Sequence, residues 1–357
     1  MICSGARADT VAVRLSDAAA SAAPTVYSDV KVTNIVEGRI EFTTASGNTV
    51  DKDLSLVTAL SIDDEPGFNQ AQQDYAANHV DRAVDEFDQT IQQTQKTWLK
   101  AYCHLLMTDA ANKAGRFDKA VEGYVWLVMN QPAQAAQYLP TVPQAGSISL
   151  DGASQTLESA VETTGIAPQQ EAALVSLLLG VDRARNDSNA IVRDAGRLSK
   201  LSGVAGDATS NLASLALADA KLNLAGSALA QKDFDQAAGI IKDSGDLFLD
   251  TRRQADALYI LAQARDGQAQ GKNDPDSWKD AAIAYLRVVA DFKDADGTPH
   301  VPQSLFKAAG ILDTQLNQPG KALRMYQSIQ KQFPQSPVAD EAAQQIARLV
   351  AAGVRPN

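Results

Sequence analysis

Cys103 and His104 are adjacent, and a thiol beside an imidazole is the most reactive pairing the chain offers. Successive residues on a helix point about 100° apart, so the two cannot face each other, and both read as core. The other histidines, His79 and His300, are widely spread, and Cys3 with Cys103 cannot build a disulfide framework. The stretch DFKDADGTPH, with Asp294 and Asp296, is rich in carboxylates but lacks the ordered ligands and closing Glu of a calcium loop. No Cys/His/Asp/Glu set has metal-ligand spacing, and neither GxxxxGK[ST] nor GxSxG occurs. The acidic run Asp63-Asp64-Glu65 reads as a solvated hinge, and Trp98, Trp126 and Trp278 fall at apolar helical positions and read as core. No catalytic residue, cofactor or metal is therefore expected. A hydrolase with an unrecognised site is the weakest reading, because no base, nucleophile and orienting group can be assembled.

With so little chemistry, the elements themselves carry the information. The chain has 357 residues, 45% of them hydrophobic, which is ample for one or more cores. Its 32 Lys and Arg against 43 Asp and Glu give a net charge of −11, and no basic run exceeds the pair Arg252-Arg253. That excludes a nucleic-acid partner, whose phosphates need a clustered positive field. The 61 alanines and 6% aromatics favour helix. The longest apolar stretch, ALVSLLLGV, is about half the ~20 residues of a membrane span, so no transmembrane segment is expected. MICSGARA ends in Ala6-Arg7-Ala8, the small-x-small pattern of a signal-peptidase site, without the basic and apolar regions that precede one. Residues 1–8 read as the remnant of an export signal truncated by a misplaced start codon, with the mature chain beginning at Asp9. The expected location is periplasmic or extracellular, with the cytoplasm as the alternative.

From Asp9 to Asp63 the pattern has period two. TVAVRL, VYSDVKVTNIV, GRIEFTT, NTVDKDL and VTALSI alternate apolar and polar residues, and Glu37-Gly38 and Ser46-Gly47-Asn48 supply turns. Five strands in about 55 residues predict a small all-β, barrel-like domain over 9–63, similar in pattern to SH3-like or Sm-like barrels, serving as a cap or docking module. From Pro66 onward the period is 3.6, and fourteen helices can be read between Pro66 and Ala351. Pro66, Pro168, Pro275, Pro319 and Pro337 stand near helix starts, and Gly115 and Gly165 at helix ends. The one extended interruption, Gln131 to Gly152, reads as a packed loop.

The helix pairs share a spacing. In KAGRFDKAVEGYVWLVMNQP, the residues Gly115, Phe117, Ala120, Tyr124 and Pro132 fall at the offsets where tetratricopeptide repeats place Gly, aromatic, Ala, aromatic and Pro. Around NQPGKALRMYQSIQKQFPQSP the same frame selects Gly310, Ala322, Tyr326 and Pro334. Weaker copies carry Ala83 with Phe87, Phe234 with Ala237 and Ile241, and Ala281 with Tyr285. The spacings 37 (Ala83 to Ala120), 44 (Ala237 to Ala281) and 41 (Ala281 to Ala322) exceed the 34 residues of the standard repeat, so its helices or loops are extended. The chain thus resembles tetratricopeptide-repeat (TPR) proteins over about two thirds of its length. Its last units, with Tyr285-x6-Phe292, Tyr326-x6-Phe333 and the ending FPQSPVADEA, look like repeats of bacterial envelope proteins such as the outer-membrane assembly lipoproteins and the cell-division coordinator of the Tol-Pal system.

The resemblance implies a mainly α fold, an α-solenoid of antiparallel helix hairpins over 66–354 with a less regular part at 133–206, following the β module. It implies a non-enzymatic scaffold or adaptor that binds a peptide or protein partner on the face lined by the first helix of each pair. In that frame Tyr102, Leu105, Asp109 and Asn112, and in the final unit Ser304, Lys307, Ile311 and Thr314, are the expected partner-binding residues. The alternative is a structural subunit of an envelope assembly. Partner identity and oligomeric state cannot be read from the sequence.

Overall fold

A computed structural model describes residues 8–14, 23–272, 274–293 and 300–356. The Ala6-Arg7 part of the cleavage motif, Cys3, and Asp294 and Asp296 lie outside the described residues.

Five strands form as the alternation requires: β1 (Asp9–Val13), β2 (Thr25–Val36), β3 (Arg39–Thr43), β4 (Thr49–Asp53) and β5 (Val57–Ser61). Glu37 and Gly38 both adopt positive φ (50° and 74°), which gives the tight two-residue turn that pairs Val36 with Arg39. All pairings are antiparallel, in the order β4-β3-β2-β1-β5. The long β2 serves two partners, pairing with β1 through its first half and with β3 through its second. The expected barrel does not close: β4 and β5 remain the two edges of an open sheet. The physical reason lies in what covers the inner face. Val11, Val30, Ile40 and Phe42 pack in one continuous core with helix residues Phe68, Ala71, Phe87, Leu99 and Cys103, so helices take the place an opposing strand would occupy.

Sixteen helices follow among the described residues: α1 (Pro66–Ala76), α2 (Val80–Gln93), α3 (Thr97–Ala114), α4 (Phe117–Asn130), α5 (Pro132–Ala135), α6 (Ser149–Val161), α7 (Pro168–Arg185), α8 (Ser188–Lys200), α9 (Ser202–Ala205), α10 (Asp207–Ala230), α11 (Phe234–Asp243), α12 (Thr251–Lys272), α13 (Pro275–Phe292), α14 (His300–Thr314), α15 (Pro319–Gln332) and α16 (Ala339–Ala351). Fourteen correspond to helices read from the sequence; α5 and α9 are short additions. The chain divides into two compact units, Met1–Asp187 with Lys200–Gly206, and Ser188–Ser199 with Asp207–Asn357. The break does not fall at the junction of strands and helices, because the β module shares its core with α1 to α4.

Within each unit the helices pack in sequence: α1 on α2, α2 on α3 and α3 on α4 in the first, and α10 through α16 successively in the second. Four of the turns between them repeat one geometry. Asn78, Gly115, Lys232 and Asn317 take left-handed φ of 62°, 71°, 61° and 50°. The next helix starts two residues later each time, and the residue five positions on is Ala83, Ala120, Ala237 or Ala322, each 0% exposed. Three of these turns add a backbone bond to the carbonyl five residues back, His79 N to Asp74 O, Arg116 N to Ala111 O and Asp233 N to Ala228 O, at 2.8, 2.9 and 2.9 Å, and at the fourth Gln318 N reaches six back to Leu312 O at 2.7 Å. The same turn closes α7, with Asn186 at φ 56° and Asp187 N bonded to Asp182 O at 3.0 Å, in the stretch where the sequence offered no clean copy. The following aromatic or aliphatic positions, Phe87, Tyr124, Ile241 and Tyr326, are buried, as is Tyr285 after Ala281. Hairpin crossings are close: a Cβ added at Gly123 on α4 would lie 2.1 Å from Thr108 Oγ1 on α3.

Candidate partner-binding groove

The residues expected to bind a partner divide by unit. On α3, Tyr102 packs on Phe68 with ring centroids 6.0 Å apart, and with Leu105 it faces the β2–β3 turn and Leu54 across a crevice of about 10 Å³. Burial pushes the Tyr102 phenol well above its ordinary pKa. Asp109 accepts hydrogen bonds from Tyr75 and, at 2.7 Å, from Lys113 Nζ, while Asn112 Nδ2 donates to Tyr138 O at 3.5 Å. The face that the repeat frame assigns to a partner is thus covered here by the chain's own β module and connecting loop. On α14, Ser304 and Ile311 are buried, the latter among Trp278, Ala281 and Tyr285, and only Lys307 and Thr314 are exposed. Thr314 Oγ1 donates to Gly310 O at 2.8 Å.

The acidic junction is tied to the start of α3 by ion pairs and hydrogen bonds, with Asp64 exposed and Asp63 and Glu65 half-buried. Lys96 Nζ, at the start of α3, binds Asp64 Oδ1 at 2.6 Å and Glu65 Oε1 at 3.0 Å, and Thr94 Oγ1 donates to Glu65 at 2.6 Å. The ammonium holds the Asp64 carboxyl below its ordinary pKa. Asp9 Oδ1 accepts the Asp63 N–H at 3.1 Å and Asp9 Oδ2 the Val32 N–H at 2.8 Å, which fastens the first strand to the sheet and to the helix entry.

Cys103 is fully buried, and burial raises its thiol pKa far above the ordinary value, so it cannot supply a thiolate. His104 points elsewhere and stacks on Trp126, with ring centroids 4.3 Å apart and planes 9° from parallel. Burial lowers its pKa to about 4, and its Nδ1 is buried without a hydrogen-bond partner. Of the tryptophans only Trp278 is core; Trp98 and Trp126 are half-buried. Among the described residues no group of His, Cys, Asp or Glu could hold a metal ion.

A concavity with a largely apolar lining lies in the second unit. Helices α11 and α13 both pack on α12 and run in the same direction relative to it. Helix α11 meets α12 closely at one end, where a Cβ on Gly267 would fall 2.3 Å from the Phe234 ring. Toward the other end, beyond the Gly245–Leu247 turn, a cavity of about 590 Å³ opens. Its floor is Ala257, Leu258 and Leu261 of α12, and its walls are Ile241, Phe248 and Phe292. A narrower extension of about 160 Å³ continues along α12 and α13 past Ile283, which is 62% exposed, to Arg265. Five charged side chains rim the two: Lys242, Arg265 and Arg287 against Asp280 and Asp291. Arg287 Nε pairs with Asp291 Oδ2 at 3.4 Å, whereas Lys242 and the half-buried Arg265 have no ion pair among the described residues. The N-terminal end of α12 is held rigidly. Arg253 binds both oxygens of Asp219 on α10 at 2.7 Å and Asp250 Oδ2 at 2.8 Å, and Asp250 Oδ1 accepts the Arg253 N–H at 3.0 Å. These bonds hold the Asp250 carboxyl below its ordinary pKa.

Ile241 and Phe292 were read from the sequence only as repeat positions and no groove residue as a binding residue, though three left a signal. In α13 the buried stripe runs Trp278, Ala281, Tyr285, Val288, Phe292, and Ile283 is an aliphatic residue out of phase with it. In α12 the buried positions are Ala and Gly, while the larger Leu258 and Leu261 are only half-buried.

No family model matches this sequence, and no curated protein matches it significantly. Among solved structures it is similar to BtubC (BKLC) from P. vanneervenii at 15% identity over 80% of this chain and 94% of that one, with a TM-score of 0.29, too loose a superposition to define a shared fold.

Proposed function

We propose that this chain is a non-enzymatic interaction scaffold of tetratricopeptide type that binds a peptide segment of a protein partner in the α11–α12–α13 groove. The repeated left-handed turn with its buried Ala five residues on supports the repeat reading. The groove carries the functional one: it has an apolar floor, an exposed aliphatic side chain at Ile283 and two cations, Lys242 and Arg265, without an ion pair among the described residues, in a volume typical of binding sites. A cell-envelope location accompanies this proposal, on the Ala6-Arg7-Ala8 motif and the envelope-like repeat ending.

Co-purification from the native source with the parent and an Ile283→Asp variant tests the scaffold. The partner should be lost from the variant at an unchanged thermal midpoint; a partner retained at the parent level refutes the groove. N-terminal sequencing of native protein should begin at Asp9, and a retained Met1 refutes export.

A further inference from the structure

Resting on that reading, we infer that the segment bound in the groove is acidic as well as apolar, a short stretch with one or two aliphatic or aromatic anchors next to an Asp or Glu that Arg265 receives. Three observations lead there. The first is Arg265 itself. A guanidinium that gives up part of its hydration is ordinarily paired, and the other half-buried arginine of α12, Arg253, is paired twice, with Asp219 and Asp250. Arg265 is comparably placed on the same helix, yet it has no ion pair among the described residues and lines the narrow end of the groove.

The second observation is the local charge. Three cations against two carboxylates leave the groove at about +1 on a chain whose net charge is −11, and Asp291 is already engaged by Arg287. Asp280 is exposed at the rim, where water screens it, and it makes no ion pair with Arg265. The groove lining thus carries a small excess of cationic groups in an acidic protein, which favours an acidic segment. The third is the order of features along α12. Leu258 and Leu261 line both the wide cavity and the extension that holds Arg265, so a bound chain meets apolar floor first and the guanidinium at its end. From Gln254 to Arg265 is 11 residues, about 16 Å of helix, the reach of roughly five extended residues.

Selection of random twelve-residue peptides displayed on phage tests this, run in parallel on the full parent chain and on Arg265→Glu, Arg287→Glu and Ile283→Asp chains with unchanged thermal midpoints. Peptides enriched on the parent should carry Asp or Glu within a few residues of Leu, Ile or Phe. Their recovery should fall about tenfold on Arg265→Glu, with Lys or Arg appearing in place of the acids. Arg287→Glu gives the same change if Arg265→Glu does not fold. Parent-level recovery on both reversals with loss on Ile283→Asp overturns the acidic ligand and leaves the groove standing. Recovery indifferent to all three, or no enrichment on the parent, overturns both.

Discussion

Gly123 to Ala is the sharpest probe of the helix packing. In an open helix this change adds about 1 kcal/mol of stability, because Gly is the poorer helix former. Here the new methyl would sit 2.1 Å from Thr108 Oγ1, 3.2 Å from Thr108 Cβ and 3.3 Å from the His104 carbonyl oxygen. Ordinary contact requires more than 1 Å of further separation from the hydroxyl. Thr108 is fully buried and its hydroxyl donates to His104 O at 2.6 Å, so rotating it away forfeits that bond. Overpacking of this severity lies at the upper end of the range of about 1–3 kcal/mol, and the net loss should be about 2 kcal/mol. In a Thr108→Ala background the hydroxyl is gone and only the 3.2 and 3.3 Å contacts remain, so Gly123→Ala should be about neutral, a coupling of about 2 kcal/mol. Since the chain has two units, the signal must come from one of them. Trp98 and Trp126 belong to the first and Trp278 to the second, so urea titration by tryptophan fluorescence in a Trp278→Phe background reports the first. Equal effects of Gly123→Ala in both backgrounds would refute the close crossing of α3 and α4.

Ala120→Leu and Ala322→Leu should each cost about 1–3 kcal/mol in urea titrations, while the same change at exposed Ala76 should have little effect. His104, with its folded-state pKa near 4 against an ordinary 6.5, contributes stability that is complete above pH 6.5 and lost as pH falls toward 4. After discounting for partial exposure this amounts to about 2 kcal/mol, so a His104→Phe chain, which keeps a ring against Trp126, should gain on the parent by that amount between pH 6.5 and 4. Glu86 has the opposite sign for its charge: burial and the neighbouring Asp74 raise its pKa, so its contribution falls as pH rises. Glu86→Gln should therefore raise the urea midpoint at pH 7 and leave it unchanged below pH 4. In a Cys3→Ala chain, Cys103 should react with a thiol reagent only under unfolding conditions, and rapid labelling of that native protein would contradict its burial.

Elements with strong local periodicity were legible in the sequence, and what covers them was not. The strands begin and end within one or two residues of the alternating runs, because a half-buried strand writes its own period, and the anchoring Ala residues are buried where the repeat frame puts them. Tyr102 and Leu105 show the limit. Their helix face was readable, but the β2–β3 turn that covers it comes from more than sixty residues upstream, and no local pattern records such a contact. The barrel failed for the same reason, since closure depends on whether Phe42 meets another strand or Phe68. The left-handed turn at Lys232 was missed because Lys gives no residue-type signal for that conformation, and those at Asn78 and Asn317 because Asn announces it less strongly than the Gly of Gly115.

The shared core of the β module and the first helices also fixes an order of events during synthesis. Strand residues such as Val11, Val30 and Phe42 leave the ribosome first, yet the cluster they join is complete only with Ala120. At about 5–20 residues per second, the 109 residues from Val11 to Ala120 take roughly 5–20 s to make. Over that interval the nascent chain presents an apolar sheet face, with β4 and β5 as unprotected edges able to recruit strands from neighbouring chains. The amino-terminal half is therefore where a holding chaperone has the most surface to grip and where slowing translation before Ala120 should most increase aggregation.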